Sequence, residues 1–236
     1  ISVGVHNKHA DCVATEICSD AKSVDFSVNY DGETARVHLN CPGEHNVYNA
    51  MFAFVTGKMK GMDTSDIVKG LADYRPMTVR QKTYHTLGKT LYVDCFNASA
   101  KSVRAALAVL RSIQPKHRRV AVIGDIAEIE GYEEETYRQI AGDISASEVD
   151  FLITYGTESW RIWNYLNEEI ERIHFYEEKE LIAYIKKTIR FGDVALFKAS
   201  GVMNLEHVVK RVYPITYNLT RIPYRIRTLK WLLRTV

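Results

Sequence analysis

The sequence predicts an α/β protein of two units, the second a doubly wound, Rossmann-like domain with a mostly parallel sheet. Three observations carry this. From Thr90 onward short apolar runs alternate with amphipathic helical patterns for about 120 residues. Before that point the texture is different, with alternating strands followed by two linked helices. And 236 residues with 46% hydrophobic and 25% charged side chains is enough chain, of ordinary globular balance, for two cores.

Element by element, Ile1–Val5 reads as a strand, and Asp25–Tyr30 and Ala35–Leu39 alternate as half-buried antiparallel strands around an Asp31-Gly32 turn. After Pro42-Gly43, Val47, Met51, Phe54, Val55 and Met59 recur at helical spacing up to Gly61. A second helix is expected from Thr64, a cap candidate, to about Tyr74, and a strand over Gln81–Leu87 before a Gly88-Lys89 turn.

The alternation then runs Leu91–Asp94 (strand), Lys101–Arg111 (helix), Arg119–Ile123 (strand), Glu133–Ser145 (helix) and Asp150–Tyr155 (strand). It continues with a helix near Thr157–Asn167, a short strand at His174-Phe175, a helix over Glu178–Ile189, a strand Val194–Phe197 and a helix Leu205–Val212. Right-handed βαβ crossovers follow from this order. Ligands on such sheets lie beyond the carboxyl ends of the strands, which directs attention to Asp94, Gly124-Asp125, Tyr155-Gly156 and Lys198-Ala199-Ser200.

The net charge of +2 gives no basic footprint for nucleic acid. Five of the basic residues (Arg221, Arg225, Arg227, Lys230, Arg234) fall after Ile215 with no acidic one, so a mildly acidic body carries a basic tail. Ile226, Leu229, Leu232 and Leu233 would give that tail an apolar face. It reads either as a terminal helix docked on its own domain or as a weak membrane-surface contact. Four cysteines in a chain with no leader or spanning segment point to reduced thiols in the cytoplasm. The sequons at Asn97 and Asn218 are then chance matches. The start on Ile1, inside an expected strand, is read as the start of a fragment.

No complete phosphate-binding glycine loop is present; Gly88-Lys89-Thr90 lacks the preceding glycine and leads into a strand. His6, His9, Cys12 and Cys18 lack the paired spacing of zinc knuckles and are read as independent residues. Asn46 and Asn49, three apart at a helix start with His45 beside them, are either caps or an amide pair able to meet a nucleobase edge.

Four motifs occur in order: Gly43-Glu44-His45-Asn46-Val47-Tyr48-Asn49-Ala50, then Arg80, then Asp94-Cys95-Phe96-Asn97-Ala98-Ser99, then Gly124-Asp125-Ile126-Ala127-Glu128, with Lys198-Ala199-Ser200-Gly201 closing the series. Their order and spacing resemble the Mur ligase family, whose pattern is G-x-H-N-x-x-N-A, an Arg, D-x-Y-N-A-N-P, G-D-M-x-E-L-G and K-G-S-R. The resemblance covers the chain to about Val212. It implies the end of a central ATPase domain over residues 1–89, the complete C-terminal Rossmann-like domain over 90–214, and a tail over 215–236 outside the family pattern.

The implied reaction is amide formation: ATP, with Mg2+ held mainly by a preceding segment, phosphorylates a carboxylate, and an amino group attacks the acyl phosphate. The substrates implied are a UDP-MurNAc-peptide and an amino acid or dipeptide, D-alanyl-D-alanine first among them, handled by a cytoplasmic monomer. The fragment alone is expected to be inactive. The alternatives are a ligase for another amino acceptor and a non-catalytic nucleotide-binding scaffold. By resemblance Asn46 touches adenine, with His45 and Asn49 shaping the same helix start. Arg80 reaches the ribose or phosphates, Asp94 binds the ribose hydroxyls, and Asn97 with Ser102 orders the loop beside the hinge. Lys198 and Ser200 face the incoming amino substrate, against the plain reading of Lys198 as a solvated lysine. Departures from the pattern are Val79 for Gly, Phe96 for Tyr, Ser99-Ala100 for Asn-Pro, and Gly201 for Arg.

Overall fold

The computed structural model describes residues 1–20, 22–76 and 80–214. The basic tail and Val79 lie outside the described residues. In the first unit β1 (Val3–Gly4), β2 (Cys12–Ser19), β3 (Val24–Tyr30) and β4 (Glu33–Leu39) form a sheet in chain order. β2, β3 and β4 are an antiparallel meander, whereas the two-residue β1 pairs parallel with β2. The period-2 pattern places Phe26, Val28, Val37 and Leu39 on one face, and α1 (His45–Met59) and α2 (Thr64–Asp73) cover it with Val47, Met51, Phe54 and Ile67. Asp63, not Thr64, flanks the start of α2; Thr64 donates its hydroxyl to Glu33 instead.

The second unit holds a six-stranded sheet in the order β5 (Lys82–Thr86), β6 (Lys89–Asp94), β10 (Val194–Lys198), β7 (Arg119–Gly124), β8 (Phe151–Tyr155), β9 (Glu171–Phe175). Only β5 is antiparallel. β5, which precedes residues 89/90, is the outer strand of this second sheet, paired with β6. Leu87 and Gly88, both at positive φ, turn the β5–β6 hairpin, so Gly88 is a turn residue while Lys89 and Thr90 already lie in β6, and Gly88-Lys89-Thr90 runs into a strand as expected.

One face of the sheet packs on α3 (Ala100–Ser112) and α4 (Glu133–Ser145) through Leu107, Leu110, Tyr137 and Ile140. The other packs on α5 (Glu178–Thr188) and α6 (Leu205–Val212) through Leu181, Ile185, Leu205 and Val208. β7 is buried at all six positions, as a strand covered on both faces must be. The helix expected over Thr157–Asn167 is a 3-10 run over Ser159–Tyr165. Asp125 sets its start, accepting from the backbone N–H groups of Thr157, Glu158 and Ser159 at 2.7, 3.0 and 2.8 Å.

The last strand, β10, lies between the first and second parallel strands. The connection leaving it goes to the α5/α6 face, while those leaving β6 and β7 go to the α3/α4 face. Its carboxyl end is therefore a topological switch point on both sides, the place where a crevice opens in such sheets.

Candidate functional site

Two clefts meet at Arg80. The larger, about 600 Å3, runs between α1, α2 and the end of β4 and is lined by Asn46, Asn49, Ala53, Ile67, Tyr74 and Arg80 among others. The smaller, about 220 Å3, lies over the carboxyl end of β6 and is lined by Arg80, Gln81, Asp94, Asn97, Ser99, Ser102 and Lys198, with Phe96 and Ala98.

Gly43 precedes α1 at φ +96°, and a Cβ there would stand 2.6 Å from the His45 ring. Glycine thus lets the imidazole fold back on its own turn. Asn46 is buried at the helix start and donates Nδ2 to the Pro42 carbonyl and to Gln81 Oε1, both at 2.8 Å. Asn49, one turn on and exposed, donates its Nδ2 to Asn46 Oδ1 at 3.3 Å. His45 Nε2 sits 2.6 Å from Gln81 Nε2. Burial pushes the His45 imidazole below its ordinary value of 6.5, with Lys198 adding to that and Asp94 and the Gln81 bond opposing it. A neutral ring accepting at Nε2 fits both facts.

Asp94 ends β6 at 8% exposure. Its Oδ2 lies 2.9 Å from Lys198 Nζ, and Oδ1 accepts from the Gln81 N–H at 3.3 Å. Lys198, at the end of the adjacent β10, is 1% exposed. Its ammonium also donates to the Asp94 and Asn97 carbonyls at 3.3 and 2.5 Å. All three of its donors are committed to the loop after β6. The structure therefore corrects the solvated reading of this lysine, and it places Lys198 under the loop after β6, next to Asp94. Ser200 points away from that pair: its Oγ accepts from the Ala127 N–H at 2.9 Å, which ties β10 to the loop after β7. Lys198 and Ser200 thus serve different loops.

Asn97 is exposed, and its Oδ1 accepts from the Ala98 N–H at 2.8 Å. Ser99 and Ser102 form a reciprocal capping box on α3, the role left open by the loss of Asn-Pro from the motif. Phe96 gives Arg80 an apolar platform, the guanidinium carbon lying 3.7 Å from the ring centroid. A Cβ on Gly201 would stand 2.6 Å from the Phe96 carbonyl oxygen, so the position that carries Arg in the family pattern is closed to a side chain in this packing.

The residue missed by sequence reasoning is Gln81. It joins His45 and Asn46 of the first unit to Asp94 of the second, and no local pattern marks it, because its partners lie 13 to 36 residues away. Its position directly after Arg80 was the one available signal. Among the described residues no three His, Cys, Asp or Glu side chains gather as a cation site, and no helix is long and apolar enough to cross a membrane. Cys12 and Cys41 belong to the first core, where burial pushes both thiols up to about 11.

The family model described as Mur ligase, glutamate ligase domain matches residues 77–201. The UDP-N-acetylmuramoyl-tripeptide–D-alanyl-D-alanine ligase of Bacillus subtilis is 32% identical over 176 residues, 71% of this chain and 38% of that protein. The enzyme of the same name from Escherichia coli is 28% identical over 205 residues, 86% of this chain and 44% of that protein. Among solved structures, MurF from Acinetobacter baumannii and a UDP-N-acetylmuramoylalanyl-D-glutamyl-2,6-diaminopimelate–D-alanyl-D-alanyl ligase from the same organism superpose with TM-scores of 0.80 and 0.78 at 24% and 25% identity. They cover 90% and 91% of this chain and 46% of theirs. The chain thus spans less than half the length of these relatives.

Proposed function

Because this chain belongs to the Mur ligase family, we propose that it is the nucleotide-closing part of an ATP-dependent ligase of peptidoglycan precursor synthesis. The observation that carries the reading is the convergence on Arg80 of two clefts, one lined by the Asn46–Asn49 amide pair and the other by the Asp94 carboxylate. Amides pair with a base edge, a guanidinium with phosphate, and a carboxylate with a ribose diol. The residues present therefore fit the base and sugar of ATP. Arg80, seated on Phe96, reaches the ribose or phosphates, and Asp94 takes the ribose hydroxyls with its orientation held by Lys198. Asn97 shapes the same loop. In this reading ATP supplies the phosphoryl group, and Mg2+ is held mainly outside this chain.

The carboxylate of a UDP-MurNAc-peptide gains the phosphoryl group as ADP departs. An amino group then forms the amide bond by attacking the acyl carbon, with loss of phosphate and a proton. Ser200 lies on the side of the switch point nearer the loop after β7, where the incoming amine is placed. D-alanyl-D-alanine is the first acceptor to consider, from the names of the relatives. Gly201 favours a second reading, a ligase for another amino acceptor, since the guanidinium of the K-G-S-R pattern has no counterpart there.

The test is ADP release by the whole protein with ATP, Mg2+, a UDP-MurNAc-peptide and a panel of amino acids and dipeptides. Release that depends on both peptide and acceptor supports the ligase, and the preferred acceptor decides between the two readings. Absence of release with every acceptor refutes both. Asp94→Ala is expected to raise the KM for ATP about tenfold or more, the loss of one charge-assisted hydrogen-bond set.

A further inference from the structure

Gln81 occupies a costly backbone position. Its φ of +51° lies in the left-handed region, where a long side chain is uncommon. From there it makes the three contacts already described, to Asn46, His45 and Asp94, and although it lines the smaller cleft it stands behind the larger one, the groove between α1 and α2, rather than in its lining.

The identity of each atom in this chain of bonds follows from one fixed point. A backbone carbonyl oxygen only accepts, so the Asn46 atom 2.8 Å from Pro42 O is the amide nitrogen. That same nitrogen faces Gln81, which must answer with Oε1 and turn its own nitrogen to His45. With both N–H groups used, Asn46 has only Oδ1 to offer a ligand. Oδ1 receives one bond from Asn49 and keeps a lone pair, and Asn49 Nδ2 keeps one N–H. The groove therefore shows a base an acceptor from Asn46 beside a donor from Asn49.

We propose that Gln81 is a positioning residue for base selection: by holding the Asn46 amide with its nitrogen inward, it makes the groove accept a 6-aminopurine and reject a 6-oxopurine. The proposal rests on the nucleotide reading above. Adenine brings an exocyclic N–H to Asn46 Oδ1 and an adjacent ring nitrogen to Asn49 Nδ2. Guanine brings an oxygen to the same oxygen, and a site built to hydrogen-bond one partner rejects the isostere that leaves its groups unpaired. Pro42 alone supplies one of the two inward bonds; Gln81 supplies the other and ties the amide to Asp94 across the unit boundary.

The experiment is titration of the whole protein with ADP and with GDP, for wild type, Gln81→Met and Gln81→Glu. Wild type is expected to favour ADP. Gln81→Met keeps the shape but removes the acceptor, and is expected to shrink the ADP-to-GDP affinity ratio roughly tenfold, the worth of about one such bond. Gln81→Glu keeps an acceptor toward Asn46, and a neutral His45 can turn its proton to Nε2 to meet it. It is expected to hold the wild-type ratio even if its charge near Asp94 weakens both nucleotides together. Equal weakening of ADP and GDP in Gln81→Met, or a collapsed ratio in folded Gln81→Glu, overturns the proposal. Wild type that binds neither nucleotide overturns the nucleotide reading itself, and the proposal falls with it.

Discussion

Replacing Lys198 with Met removes one charge while keeping most of the side-chain volume. The structure allows its cost to be worked out. The ammonium is 1% exposed and pairs with a carboxylate that is 11% exposed, and it serves two backbone carbonyls besides. Breaking a buried pair by removing one partner costs about 3–5 kcal/mol, because the remaining charge is left without compensation. At about 2–4 °C per kcal/mol for a protein of this size, the melting temperature should fall by roughly 6–20 °C. Differential scanning calorimetry with a urea titration measures it. The double variant Asp94→Asn/Lys198→Met should recover about 2 kcal/mol relative to the sum of the singles, since each then lacks only a partner already lost. A Lys198→Met protein that melts within about 2 °C of wild type and shows only a raised KM for the amino acceptor would refute this reasoning. It would return the lysine to the substrate.

Three further outcomes are expected. Burial alone would raise Asp193, but bonds from the Arg190 N–H and from Arg118 and His117 outweigh it and hold the carboxyl below its ordinary 3.8. A depressed carboxyl stabilises the fold above its unfolded value and loses that contribution as pH falls through the folded one. Denaturant midpoints should therefore drop below about pH 4 in wild type and more shallowly in Asp193→Asn. Gly156→Ala should destabilise by about 1–3 kcal/mol from backbone strain at φ +124° and by more from contact, since its Cβ would lie 2.4 Å from the Asp125 carboxylate; chemical unfolding reads it. Ser99→Ala opens the capping box of α3 and should cost about 1 kcal/mol, seen as a small fall in the urea midpoint with an unchanged slope.

The parts of the fold that were legible are those in which one periodicity dominates. Arg119–Ile123 could only be a strand buried on both faces, and the apolar stripe Val47–Met51–Phe54 only a helix on a sheet. The 3-10 run at Ser159–Tyr165 was not legible as such. Its start is dictated by Asp125, more than thirty residues earlier, through three backbone bonds. The sheet to which the edge strand β5 belongs was not legible, because pairing partners are a matter of register, not of local composition. At the site, the amide pair and Asp94 were legible as residue types at strand and helix ends. The commitments of Lys198 were not, since they depend on β10 arriving beside β6, and Gln81 was marked by nothing but its place directly after Arg80. Gly201 shows the reverse case: a departure visible in the motif finds its steric reason only in the Phe96 carbonyl above it.

The placement of β10 also dictates an order of assembly. β6 and β7 cannot pair with each other, because the slot between them belongs to the last strand of the sheet. As the chain emerges from the ribosome, at about 5–20 residues per second, that slot stays open on the order of ten seconds, with two apolar inner edges exposed to other chains. The lysine that closes the loop after β6 comes on the final residue of β10, joined to Asp94 across 104 residues of sequence. Sheet completion and the shaping of the Asp94 loop are thus one event, and a nascent chain stalled before β10 would hold neither.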